Sequence, residues 1–399
     1  MSRLIYVFGF VILFACNSKE SKVEQKGSNL SLTALGEMKG ALPHLYTDLD
    51  NQVYLSWVQK SGDSAIFQFS KLEDDQWAPA KQIATGHNWF INWADYPMIA
   101  TIHGQNFFSH YLAKSSEGTY SYDVTVSMSN EKGDSWKPKF VLHDDGKSAE
   151  HGFVSVTPYQ DSFLVVWLDG RNTVMPEGQE NVEGHHGAMT LRAAIMDTKG
   201  TKMSEWELDN RVCDCCQTSV AITDNGPVVI YRNRSEEEIR DMHIVRLIDG
   251  QWTEPKAINH DNWKIAGCPV NGPRISAIGN NAAAAWFTAS PEPRVNVVFT
   301  EDGGANFSEA IRIDQGKAIG RVDVVMLDTK RAFVSWMEGE NIESAVVTTE
   351  GSIEQRFVIA SSSTSRSSGF PQITSNGRNI IAAWTDTESG MVKTGIIEL

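Results

Sequence analysis

The runs VYLSW (53–57), NFFSHY (106–111), FLVVW (163–167), PVVIY (227–231), AAAAW (282–286), AFVSW (332–336) and IIAAW (380–384) repeat one phrase seven times, an apolar stretch closed by Trp or Tyr. A short polar turn precedes each run: DNQ at 50–52, HGQN at 103–106, QDS at 160–162, DNG at 224–226, GNN at 279–281, DTK at 328–330 and SNG at 375–377. These turns are rich in Gly, Asn and Asp, the residues that tolerate positive φ. Because another strand-like run comes before each turn, every unit opens with a hairpin. The closing aromatics lie 48 to 64 residues apart. Units of about that length with several strands each are propeller blades rather than solenoid coils. The sequence therefore predicts an all-β chain folded as a seven-bladed β-propeller, with a six-bladed ring as the alternative.

A closed ring must join its two ends. The last unit lacks an evident fourth strand, and NLSLTA (29–34) with Leu35 alternates apolar and polar residues, so this N-terminal segment is expected to supply it. With 399 residues and 41% hydrophobic content, the chain can bury a large core as one closed unit. The expected division is a signal at 1–15, a tether at 16–29 and a single propeller over 30–399. The signal rests on twelve mostly apolar residues from Leu4, too few to span a bilayer, that end in Leu13-Phe14-Ala15-Cys16. That ending resembles a bacterial lipoprotein signal, which implies lipidation of Cys16 and an exported protein anchored in the cell envelope, at the outer membrane. Residues 17–29 (NSKESKVEQKGSN) are too polar to collapse and read as a flexible tether.

The formal net charge of −15 argues against nucleic acid as a partner, because the surface repels phosphate on average. Contact with the membrane is expected through the lipid alone, and the chain is expected to be a monomer. Four cysteines remain beyond Cys16: Cys213, Cys215 and Cys216 in the run CDCC, and Cys268. In an exported chain disulfides are the default, with Cys268 bridging to one member of the run and stapling two blades. Three thiols within four residues cannot all pair without strain, so a soft-metal site for Cu(I) or Zn(II) and thiol redox chemistry are the alternatives.

Two octapeptides, SNEKGDSW (129–136) and TEDGGANF (300–307), resemble the S-x-D-x-G-x-x-W Asp-box of sialidase-like BNR-repeat propellers. The likeness covers most of the chain as architecture and these two segments as a motif. It implies a propeller that binds or hydrolyses an acidic glycan, with an arginine cluster that clamps the sugar carboxylate. This chain departs from that family in its seven units and in its opening Leu42-Pro43-His44-Leu45, which lacks the arginine of the family's opening signature.

In a four-stranded blade, the loop entering the first strand and the loop leaving the second lie on one face, around the channel. Sorted by that rule, Arg171, Arg232, Arg234 and Arg321 fall at the mouth, where their planar forks suit carboxylate or sulfate; Gln217 and Tyr96 join them as binding residues. Their alternative role is to pair with Asp169, Asp214 and Asp323 between blades. Glu150, His151, Asp169, Asp214 and Asp323 are the acid and base candidates for glycoside cleavage, Glu150 beside His151 foremost. The polar insertion 172–187, with His185 and His186, reads as a lid or rim, and a protein-binding scaffold is a third use open to the mouth.

Overall fold

The computed structural model describes residues 30–174 and 187–399. The signal, Cys16, the tether and most of the 172–187 insertion, including His185 and His186, lie outside the described residues. Within them the chain forms seven antiparallel sheets, and the one helical element is a 3₁₀ turn at Arg366–Ser368. In chain order, blades 1 to 6 span residues 41–86, 98–141, 151–212, 219–257, 274–312 and 318–361. Blade 7 takes three strands from 372–398 and its outer strand, Leu32–Lys39, from the other end of the chain.

The seven apolar runs are the second strands, and both of their faces are buried. Ala282, Ala284 and Trp286 pack against blade 4, while Ala283 and Ala285 pack against blade 6. Ala382 likewise packs with blade 6 and Ile381 and Ala383 with blade 1. Burial on both faces explains why these runs are continuously apolar instead of alternating. The turns before them adopt the expected backbone, with positive φ at Asn51, His103, Gln160, Gly226, Gly279 and Gly377. The turn at 328–330 is held differently: Asp328 Oδ1 accepts from the amides of Lys330 and Arg331.

Both octapeptides form side-chain-anchored turns between third and fourth strands. Ser129 Oγ accepts from the amides of Glu131 and Gly133, and Thr300 Oγ1 from those of Asp302 and Gly304. Gly133 and Gly304 have φ of 73° and 81°, and a Cβ on either would collide with Phe69 or Ile244 of the preceding blade.

The closing strand runs from Leu32 to Lys39, a few residues beyond the segment expected from its alternation, because a register shift between Ala34 and Gly36 carries the pairing onward to Lys39↔Met391. Three further contacts lock the seam. Trp77 Nε1 donates to Thr394 Oγ1 at 3.0 Å, Leu42 N to Thr385 Oγ1 at 3.2 Å and Gly40 N to Gly390 O at 3.2 Å. Deleting residues 30–39 is expected to cost about 3 kcal/mol through buried Leu30 and partly buried Leu32, and to promote association by baring the edge of Met391–Glu398. Urea midpoints and light scattering check this; an unchanged midpoint in a monomeric truncation refutes it.

Candidate functional site

Three inner strands begin at the channel mouth with a bulge whose residue has positive φ: Leu42 (60°), Phe153 (51°) and Arg321 (52°). In each case the bulged amide is donated to a side chain of the preceding blade: Thr385 Oγ1, Asp95 Oδ1 and Asn271 Oδ1, respectively. The mouth is thus stitched blade to blade by polar groups. Gln217 belongs to this stitching, donating through Nε2 to Ala94 O at 2.6 Å and accepting from Gly272 N at 2.9 Å. Gly152 must lack a side chain, since a Cβ would stand 2.1 Å from Asp95 Oδ2.

The four arginines do not converge as one clamp. Arg232 is 1% exposed, and its guanidinium donates to the carbonyls of Asn271, Arg240 and Phe287 while lying over the Trp263 ring. Arg321 donates to the carbonyls of Ser365, Gly369 and Thr364 and to Ser368 Oγ, over the Trp93 ring. Burial lowers its pKa to about 10. Arg171 binds Asp169 through Nε at 2.8 Å and Nη2 at 2.7 Å. Arg234 is shared between Glu238 and Asp214. So two guanidinia are held mainly by backbone carbonyls and two by carboxylates.

The remaining candidates fall into three groups. At the channel centre, Tyr96 accepts a short hydrogen bond from Arg274 Nη2 and another, at 3.0 Å, from Gln372 Nε2. Arg274 Nε lies 3.9 Å from Asp323 Oδ1, whose carboxylate also accepts from the amides of Val324 and Ile373. Arg274 opens an inner strand and is therefore missed by a rule that sorts loops only.

The second group is the thiol cluster, formed where blade 4 is entered. Cys213, Cys215 and Cys216 place their sulfurs within 4.8 Å of one another, and the Cys268 thiol, from the loop before blade 5, adjoins Cys215. The expected disulfides are not formed: all four are thiols, with the sulfurs of Cys213 and Cys216 3.5 Å apart, at hydrogen-bonding rather than covalent distance. Arg240 Nη1 donates to Cys213 Sγ at 3.1 Å, and its Nη2 to Glu238 at 2.8 Å. Burial works to raise the Cys213 pKa, but the Cys215 and Cys216 thiols and the charges of Arg232 and Arg240 outweigh it and hold Cys213 well below the ordinary thiol range. Cys215 is raised, foremost by its bond to Cys213, and Cys216 is raised by burial. These neighbours favour the thiolate form of Cys213 over that of the other three cysteines. The sequence reading missed Arg240 and Glu238, which lie six and four residues beyond Arg234 in the same loop.

Between the groups stands Glu150, accepting from Tyr122 Oη at 2.7 Å. Burial, with the charge of Asp214 adding, raises Glu150 to about 7. Burial likewise raises Asp214, and it holds the Tyr122 phenol well above its usual range. His151, Asp169 and Arg171 form the third group, together with Asp123, His143 and Asp145, which the sequence reading missed. His151 Nε2 reaches Asp145 Oδ2 at 2.9 Å, and His143 Nδ1 reaches Asp145 Oδ1 at 2.9 Å. The HDDG run at 143–146 was the available signal.

No protein-family profile matches the chain, and no curated protein matches it. Among solved structures it is similar to the K499G mutant of NanB sialidase from Streptococcus pneumoniae, at 9% identity and TM-score 0.47 over 93% of this chain and 92% of that one. It is similar also to the intramolecular trans-sialidase from Ruminococcus gnavus, at 11% identity and TM-score 0.47 over 92% and 97%. A third is a PL25 ulvan lyase bound to a GlcA–Rha3S repeat, at 10% identity and TM-score 0.48 over 78% and 79%. The count of seven blades rests on this chain's own sheets.

A carboxyl raised from 4.5 to about 7 in the fold destabilises the protein only where the unfolded chain would ionise it. Below pH 4.5 the penalty is absent; it grows through the interval and is complete above 7. Glu150→Gln, which can still accept from Tyr122, is therefore expected to gain on the parent protein by up to about 3 kcal/mol between pH 4.5 and 8. Urea midpoints of both proteins across that range measure it, and a pH-independent difference refutes it.

Proposed function

We propose that this is an envelope-anchored propeller that binds a soft metal cation through the thiols at its channel mouth, Cu(I) being the ligand of choice and Zn(II) its competitor. The observation that carries the reading is the clustering of the Cys213, Cys215 and Cys216 sulfurs within 4.8 Å of one another, with Cys268 of the next blade entrance beside them and Arg240 donating to Cys213 Sγ. Thiolate sulfur favours soft cations, and three sulfurs within 4.8 Å of one another need little movement to share an ion. The glutamate and arginines around them form the chain Asp214–Arg234–Glu238–Arg240–Cys213, which orients the first thiolate. Lipidation at Cys16 would hold this mouth outside the cytoplasm, near the membrane; labelled-palmitate incorporation lost in Cys16→Ala tests that part separately. Reduced, oxygen-free protein should take up one equivalent of Cu(I) against a chromogenic chelator, with Cys213→Ser and Cys216→Ser each weakening uptake at least tenfold. Absence of uptake by fully reduced protein, or two disulfides in freshly isolated protein, defeats the reading.

Arg274 favours a second reading, an acidic glycan bound at the channel centre. Among the described residues its guanidinium makes one hydrogen bond, to Tyr96, and stands near the single carboxylate of Asp323. A sulfate or uronate could take the free edge of that fork. Sialylated, uronic-acid and sulfated oligosaccharides should then bind the native protein and not Arg274→Gln; no binding to any of the three classes sinks it.

A further inference from the structure

The third group has unused coordinating atoms. His143 sits in the connection from blade 2 to blade 3 and His151 at the start of blade 3, and their rings stack at 3.5 Å between centroids and 9° between planes. Asp145 lies on one side and accepts from both, at His143 Nδ1 and His151 Nε2. In the neutral rings this leaves the other nitrogen of each as a lone-pair donor on the opposite side. Those two atoms, His143 Nε2 and His151 Nδ1, face Asp123 Oδ1 at 3.5 and 3.9 Å. All three atoms are shut off from solvent and make no hydrogen bond among the described residues. The histidine side chains are 3% and 0% exposed, and Asp123 is 23% exposed.

Leaving three buried polar atoms unpaired is costly, so something is expected to fill the space between them. A proton on one ring could serve one contact but not all three. We propose that His143 Nε2, His151 Nδ1 and the Asp123 carboxylate form a site for a divalent first-row cation of the zinc type, separate from the thiols. The ligand atoms lie within 4.8 Å of one another, and bonds of about 2.0–2.2 Å from a common ion require only slight contraction. Asp145 supplies the outer carboxylate that metal-binding histidines ordinarily use to set their orientation. The charges agree with a dication. Asp123, Asp145 and Asp169 face the pair, with His151 Nε2 3.6 Å from Asp169 Oδ1, and Arg171, 3.5 Å from Asp145 Oδ2, supplies one positive charge against three negative. Three protein ligands leave a fourth position for water or a small ligand.

The site contains no sulfur, so it is tested in a protein with Cys213, Cys215, Cys216 and Cys268 all replaced by serine. Success or failure there is independent of the thiol reading. Co(II) should bind at one equivalent and show visible d–d absorption with no sulfur-to-cobalt charge transfer, and Zn(II) should displace it. His143→Gln and Asp123→Asn should abolish the signal. Asp145→Asn, which touches no ion, should weaken binding about 10- to 100-fold while leaving the absorption shape intact. If the four-serine protein does not fold, native protein carries the same test, because a thiol-bound cobalt announces itself by charge transfer. An equivalent lacking that band and lost in His143→Gln supports the site. No such equivalent, or its retention in His143→Gln, overturns it and leaves a hydrogen-bonded histidine pair.

Discussion

The pairing of Leu32–Lys39 with Met391–Glu398 is the constraint on which the molecule depends. A propeller blade has two apolar faces, and each is covered only because the next blade stands against it. With seven blades in a row, two faces would remain bare; closing the row covers them. The seam is accordingly packed like any other blade junction, with Leu45, Val53, Leu55 and Trp57 of the first blade against Ile381, Ala383 and Val392 of the last. Four antiparallel strands per blade bring every incoming loop to the same end of the channel, and closure brings those loops round to face one another. Residues hundreds of positions apart thereby become neighbours, as with Tyr96, Arg274 and Gln372.

Bringing so many polar loops together creates a hydrogen-bonding problem that the mouth solves locally. Bulges at Leu42, Phe153 and Arg321 turn an amide away from its own sheet, and the preceding blade provides an acceptor each time. Arg232 and Arg321 do the converse, saturating carbonyls at blade junctions with guanidinium donors. Such arginines are structural because their hydrogen bonds end on backbone oxygen, which no substrate can displace without unfolding the junction. Arg240 differs in kind: its donor ends on sulfur, and sulfur is a ligand.

The seven blades were legible because their signal is repetitive. A closing aromatic, a turn of Asn, Asp or Gly and an apolar run recur at each second strand, so an error in one unit is corrected by the others. The seam was legible to within a few residues, and only the shift at Ala34/Gly36 escaped, since a bulge has no signature in an alternating pattern. The site was harder. Sorting loops by face assigns Cys213, Glu150, His151 and Arg171 to one end, yet it does not tell which guanidinium ends on a carboxylate and which on a carbonyl. Asp123 and Arg274 lie inside strands, where a loop rule does not look, and His143 and Asp145 gain meaning only when Asp123 is placed opposite them.

Net charge bears on the kind of ligand more than on the fold. At −15 the surface draws cations and repels anions, and a surface cavity of about 390 Å³ is lined by Asp48, Tyr54, Lys81 and His103 and by none of the thiols, the histidine pair or Arg274. At the mouth the arginines are spent on partners within the protein, while thiols, imidazoles and carboxylates retain atoms able to donate electron pairs. An anion arriving there must displace carboxylates that already hold Arg171 and Arg234. A cation need displace only protons or solvent, and in the histidine group it relieves an excess of negative charge. Sulfur and nitrogen–oxygen donors are moreover kept apart, with Glu150 between them bonded to Tyr122 and affected by the charge of Asp214. That segregation by hardness is what two different cations would require, and it gives the acidic mouth a chemistry that its arginines alone do not.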